Sequence, residues 1–206
     1  MDEALDARPW VPESREVADL ASAAAGCRGC ELWEPANQVV FATGTRSARV
    51  MLVGEQPGDQ EDRLGEPFVG PAGRVLDEAL EAAGIDRSAA YLTNAVKHFR
   101  FEQRGKRRIH QKPDVRHLRA CGPWLEAELE AVSPEVVVAL GATAARAVLD
   151  RTVKIGELRG RVLEEPARPV VVTTHPSAVL RLRGRDGYDE AYAALVADLR
   201  LAAPYA

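Results

Sequence analysis

Four short runs of β-branched and aliphatic residues constrain this chain more than any other feature. They read RVMLVG (49–54), YLTNAV (91–96), EVVVALG (135–141) and RPVVVTT (168–174). None alternates apolar with polar, so each has the pattern of a strand buried on both faces, as in a parallel sheet. Helical periodicity fills the intervals. AGRVLDEALEAAG (72–84) ends on a glycine stop, DVRHLRACGPWLEAELEAV (114–132) opens on an Asp cap, and ATAARAVL (142–149) and DEAYAALVADLRLAA (189–203) complete the set. Strand–helix alternation of this kind predicts an α/β fold with right-handed crossovers and a parallel sheet between helical layers. At 206 residues the chain is expected to form one domain, with a core that needs no disulfides.

In such sheets, chemistry sits just beyond the carboxyl ends of the strands. The least ordinary residues stand there: Gly54-Glu55-Gln56-Pro57-Gly58 after the first run, Asn94, Lys97 and His98 after the second, Gly141 after the third, and His175-Pro176-Ser177 after the fourth. GEQPG is not a phosphate loop, because the GxxxxGK[ST] spacing is absent and an acid occupies the phosphate position. The longest connection, 97–113, reads as a basic loop insert. From Lys97 to Arg119 there are nine Lys/Arg against only Glu102 and Asp114, and Arg181, Arg183 and Arg185 form a second cluster. On a chain of net charge −4, two such patches predict a local polyanion site rather than general stickiness. The insert ends on His110, which near neutral pH can be a nucleophile, a base or a ligand.

Two of the three cysteines form Cys27-Arg28-Gly29-Cys30. In a reducing compartment that spacing points to a metal or redox centre, and it does not follow a strand as a thioredoxin-like motif would. The acidic start, MDEALDARPWVPES, has neither a basic nor an apolar segment, so no secretory signal is expected. No stretch approaches the roughly 20 apolar residues of a membrane span. A cytoplasmic monomer without membrane contact is the expectation.

Three stretches in order, GEQPGDQEDRLGEPFVGPAGRVLDEAL, YLTNAVKHFRF and HPSAVLR, resemble the motifs of the uracil-DNA glycosylase superfamily in its iron–sulfur branch, from about Cys27 to Leu201. The insert GKRRIHQ is similar to that of the X-type members, which become covalently attached to the DNA they act on. The resemblance implies a three-layer αβα fold with a four-stranded parallel sheet, spanning 1–206 with an N-terminal arm (1–24) and the basic insert (97–113). It also implies action on uracil flipped out of single- or double-stranded DNA.

The residue roles follow from the same resemblance. Gly54 and Gln56 fall where the first motif binds uracil, Phe68 where the flipped base stacks, and Asn94 where an amide reads the pyrimidine edge. An amide donates and accepts together, as distinguishing uracil from cytosine requires. His175 would stabilise charge on uracil O2, with Ser177, Leu180 and Arg181 against the DNA. Lys106, Arg107 and Arg108 would hold the insert on phosphates. His110 would capture the C1′ carbon of the sugar, with Glu55 as its base or orienter. Cys27, Cys30 and Cys121 match cluster ligands, and His98 stands where relatives have a fourth cysteine. Such a set holds a [4Fe–4S] cluster or, by ligand chemistry alone, zinc. The resemblance favours the cluster. His117 is expected to be surface or structural. The alternatives are a conventional turnover uracil-DNA glycosylase, with His110 only on phosphate, and a non-catalytic binder of single-stranded or damaged DNA.

Overall fold

A computed structural model describes residues 5–206; the first four residues of the acidic arm lie outside them. All four apolar runs form strands: β2 (Val50–Gly54), β3 (Tyr91–Asn94), β6 (Val136–Leu140) and β8 (Val170–Thr173). They pair in parallel in the order β3-β2-β6-β8, with Gly54 beside Asn94 and Leu140 beside Thr173. The sheet has six strands rather than four. Short antiparallel edges are added by β1 (Ala42–Thr43) on β3 and β7 (Val162–Leu163) on β8. Two residues carry no periodicity, so neither edge was legible.

Every residue of β2 and β6 is buried, and their side chains divide between two cores. Val50, Leu52, Val136 and Val138 pack with Leu76, Leu80, Leu195 and Leu199 of α3 (Pro71–Ala83) and α8 (Tyr188–Arg200). Met51, Val53, Val137 and Ala139 pack with Leu20 of α1 (Val17–Ala24), Trp124 of α4 (Val115–Val132) and Ala144 of α5 (Ala142–Leu149). Strand residues alternate between these layers as the two-residue repeat requires. Helix α3 starts on Pro71 at its first position and stops at Gly84 in the left-handed region. Three shorter helices are α2 (Asp59–Leu64), α6 (Ile155–Leu158) and α7 (Pro176–Leu180). No helix among the described residues is long and apolar enough to cross a membrane.

The first of the parallel strands, β2, has β3 on one side and β6 on the other, so the winding direction reverses at it. A crevice opens at such a reversal, past the strand ends.

The basic insert is not a loop. Phe101–Arg104 (β4) and Arg107–His110 (β5) form an antiparallel hairpin, closed by Gly105 at φ 59° and Lys106. The register sets His110 opposite Phe101, at the hairpin's base rather than its tip. His117 is fully buried rather than on the surface. Its Nδ1 accepts from the Asp114 backbone N–H at 2.9 Å, in a capping box at the start of α4, and its Nε2 lies 2.9 Å from Glu31.

Candidate active site

A cavity of about 560 Å³ occupies the crevice, within the usual range for small-ligand sites. Its floor is the end of the sheet. Gly54 and Asn94 are in register there, and a Cβ on Gly54 would come 2.3 Å from Asn94 Oδ1 and 2.6 Å from the Phe68 ring. Glycine is what lets those two side chains close over the strand. Phe68 holds a left-handed backbone, φ 58°, uncommon for an aromatic residue. Gly73 makes room for it, since a Cβ there would overlap the Phe68 carbonyl. The Phe68 and His175 rings lie 6.4 Å apart at 29°.

His175 N-caps α7. Its Nδ1 accepts from the Ser177 backbone N–H at 3.1 Å and lies 2.8 Å from Ser177 Oγ. That leaves the proton on Nε2. Burial, with His110 and Arg181 nearby, pushes His175 down to about 4. At neutral pH it is an uncharged donor.

On the opposite side, Glu55 follows β2 and divides its carboxylate. Thr143, from the first turn of α5, donates its hydroxyl to Oε2, while Oε1 faces His110 Nε2 at 3.5 Å. The His110 side chain is 49% exposed, so it is within reach of a ligand in the cavity. Burial is the main influence on its pKa and lowers it; Glu55 opposes the shift and Arg181 adds to it.

Glu55, Gln56, Phe68, Asn94, His110 and His175 all line this one cavity. Gln56 also ties the cavity to the hairpin. Its amide donates to the carbonyls of Arg100 and Gln111, both at 3.1 Å, and accepts from the Arg100 N–H at 3.2 Å. With those bonds made, its side chain clamps the base of the hairpin while the residue lines the cavity. Arg108 departs from expectation: it turns inward, against Asp59 and the fully buried Asp62, both at 2.5 Å. Its guanidinium covers the rings of Phe99 and Phe101 at 5.4 and 5.0 Å. It moors the hairpin and faces no solvent phosphate. Lys97 leaves the surface patch altogether. It is 1% exposed, paired with buried Glu128, and donates to the Asn94 carbonyl at 2.9 Å. Lys106 and Arg107 remain exposed at the hairpin turn, and Ser177 and Arg181 line the rim, with Leu180 half-buried beside them.

The model of the uracil DNA glycosylase superfamily matches residues 41–200. The chain belongs to that superfamily. It is 37% identical over 162 residues to a type-4 uracil-DNA glycosylase of Thermotoga maritima, covering 78% of this chain and 81% of that protein. It is 33% identical over 180 residues to one of Archaeoglobus fulgidus, covering 83% and 87%, and 34% identical over 169 residues to one of Pyrobaculum aerophilum, covering 77% and 83%.

In this member of the superfamily, Cys27, Cys30 and Cys121 are all buried and unpaired. Trp124 Nε1–H and the Lys97 backbone N–H point at Cys27 and Cys121 sulfurs, each at 3.3 Å. Gly29 lets the CxxC turn press on Ala7, whose N–H binds the Ala120 carbonyl of α4. Burial pushes Cys30 upward and Cys121 up to about 12, so thiolates there require a cationic partner. His98 is buried, pushed by desolvation down to about 4, and makes no side-chain hydrogen bond among the described residues. A neutral imidazole is the form that ligates metal. Among the described residues, no three His, Cys, Asp or Glu side chains converge as ligands of one metal ion.

The sequence reading missed Thr143 and Glu61. Glu61, almost fully buried, accepts from the Gly70 N–H at 2.8 Å and braces the loop that carries Phe68. A helix-opening Thr and an Asp/Glu-rich short helix are ordinary patterns, and only the tertiary fold sets them apart.

Proposed function

We propose that this chain excises uracil from DNA and that His110 then bonds to the sugar it leaves. The observation that carries this reading is the Glu55–His110 couple at 3.5 Å, at the mouth of a cavity walled by Phe68, Asn94 and His175. Likeness to type-4 uracil-DNA glycosylases supports the excision half. The His110 half rests on the couple and on the resemblance of the insert to the X-type pattern.

A flipped uracil stacks on Phe68 and pairs its edge with the Asn94 amide. The bond from C1′ to the base breaks, and its electron pair leaves with the uracil. His175 Nε2–H stabilises the negative charge on that anion, as a preorganised donor does at a developing oxyanion. The positive carbon forms beside the Glu55 carboxylate. The neutral imidazole of His110 donates its lone pair to C1′, and the surplus ring proton passes to Glu55 or solvent. Imidazole bound to C1′ is a poor leaving group, so the protein stays attached. Arg181, Ser177, Lys106 and Arg107 face the strand, and Leu180 lies beside them. Gln56 and Arg108 act through the hairpin as positioning residues.

Cys27, Cys30, Cys121 and His98 would hold a [4Fe–4S] cluster. Burial, the two N–H donors on sulfur and the unbonded imidazole fit that group. The cluster would supply structural cross-linking of the N-terminal arm to α4 and the hairpin base.

The test is an end-labelled oligonucleotide with one uracil, incubated with the protein, boiled in denaturant and run beside a thymine control. A uracil-dependent band holding protein and DNA, with the linked peptide mapped to His110, is the expected result. His110→Ala should lose the band and still release uracil. A strand that breaks after alkali, with no band, identifies a conventional glycosylase. Neither signal leaves a DNA-binding module.

A further inference from the structure

A second cavity of about 140 Å³ opens beside the first, roomy enough for about four or five waters. Lys112, Ala142 and Thr143 belong to the linings of both. Because Thr143 also holds Glu55, the smaller cavity adjoins the reaction centre. Its walls are aliphatic where α4 begins, at Pro113, Val115 and Leu118, and again at Val153 after α5. Its charged lining is only Lys112 and Arg146. Neither forms an ion pair with a described residue, whereas Arg100, Arg104, Arg108 and Arg116 nearby all do. An aliphatic slot edged by two cations without carboxylates suits a ligand with a flat apolar part and an anionic part. A nucleotide is such a ligand.

We propose that this slot receives the nucleotide next to the uracil. The neighbouring base enters between the start of α4 and Val153, with the Arg146 guanidinium against it. Lys112, common to both cavities, contacts the phosphate that joins the two nucleotides. The strand thus bends across Ala142 and Thr143, with one base on each side. The inference rests on the uracil reading of the main cavity and adds a second base-sized subsite.

It is tested with single-stranded oligonucleotides carrying one uracil and, one step to either side of it, a tetrahydrofuran nucleotide that lacks its base. Uracil release is measured in single turnover below saturation, for the wild type and for Arg146→Ala and Lys112→Ala. On one side, loss of the neighbouring base should slow the wild type by about tenfold, the size of one base contact. Arg146→Ala should be slower on the intact strand and almost indifferent to the same base loss. Lys112→Ala should weaken all strands and flatten the salt dependence by about 0.7 in log–log slope, as one lost phosphate contact does on a single strand. A wild type indifferent to base loss on both sides overturns the proposal. So does an Arg146→Ala protein as sensitive to that loss as the wild type. If no strand releases uracil, the reading of the main cavity fails instead. Fluorescence anisotropy on the same strands then decides the slot, with equal affinity with and without the neighbouring base counting against it.

Discussion

The cavity has two walls held in opposite ways. The strand-end wall, with Gly54, Asn94 and the turn before His175, stands on β-strands whose side chains are at most 2% exposed. Apolar burial on both sheet faces fixes it, with the buried Lys97–Glu128 pair bonded to Thr93 and the Asn94 carbonyl beneath β3. The hairpin wall has only a small aromatic stack, Phe99 on Phe101 at 5.1 Å, and is otherwise held by polar contacts. Arg108 ties it to Asp59 and Asp62, the Gln56 amide to Arg100 and Gln111, and Arg100 pairs with Asp114 at 2.9 Å. The first wall suits recognition, which needs fixed shape. The second suits delivery of one side chain, and it can be released one polar contact at a time. Recognition and capture should therefore be separable by mutation.

The largest effect is expected at the strand wall. Gly54→Ala puts a methyl 2.3 Å from Asn94 Oδ1 and 2.6 Å from the Phe68 ring, so both must move. Single-turnover uracil release should fall by about a hundredfold or more, as expected for a misplacement near 1 Å. Release within a few-fold of the wild type would mean that the floor is not the rigid half.

A smaller and selective effect is expected at Arg108→Met. The change leaves the Asp62 carboxylate, fully buried, with only the Asn37 N–H at 3.1 Å as a described partner. Breaking a buried pair in this way costs about 3 kcal/mol, read as a lower denaturation midpoint. Capture by His110 should slow by roughly ten- to a hundredfold, following the near-attack geometry that the mooring maintains. Uracil release should change by less than about threefold, because the strand wall is untouched. Hydrogen exchange should rise first at 100–111. Equal losses in release and capture would erase the distinction between the walls.

The smallest effect is a pH dependence confined to the hairpin. Under the proposed chemistry, capture uses neutral His110, whose pKa burial holds below its ordinary 6.5. Lowering pH protonates it, so capture should fall as pH drops, with its midpoint below 6.5. Glu55 raises and Arg181 lowers this pKa, so Glu55→Gln should move the inflection down and Arg181→Ala up. Shifts in the same direction would show that His110 does not sense the two groups as placed.

The strand wall was legible in the sequence because burial on both faces writes continuous apolar runs, and chemistry collects at their ends. Gln56, Asn94 and His175 stand at those ends and line the cavity, whereas Phe68, 14 residues beyond β2, is singled out only by the family resemblance. The hairpin was not legible. Its strands are four residues long, and charge masks the alternation of Phe101, Gln103, Arg108 and His110, although Gly105-Lys106 between them is a two-residue turn signal. The fates of Lys97, Arg108 and Gln56 were out of reach for another reason. Sequence counts charges and amides but cannot say which carboxylate or carbonyl will face them, and Glu128, Asp62 and Gln111 lie 31, 46 and 55 residues away.

That internal pairing has a kinetic consequence. Of the nine cations between Lys97 and Arg119, Lys97, Arg100, Arg104, Arg108 and Arg116 face carboxylates of their own chain. Few counterions would be released from DNA by so few free charges, so under the proposed function a visit to any stretch of strand would be weakly held and brief, with a shallow dependence on salt. Under the proposed chemistry, the bond to His110 turns one such visit into permanent residence. Occupancy at uracil would then be set by how often the protein passes, not by how tightly it holds on.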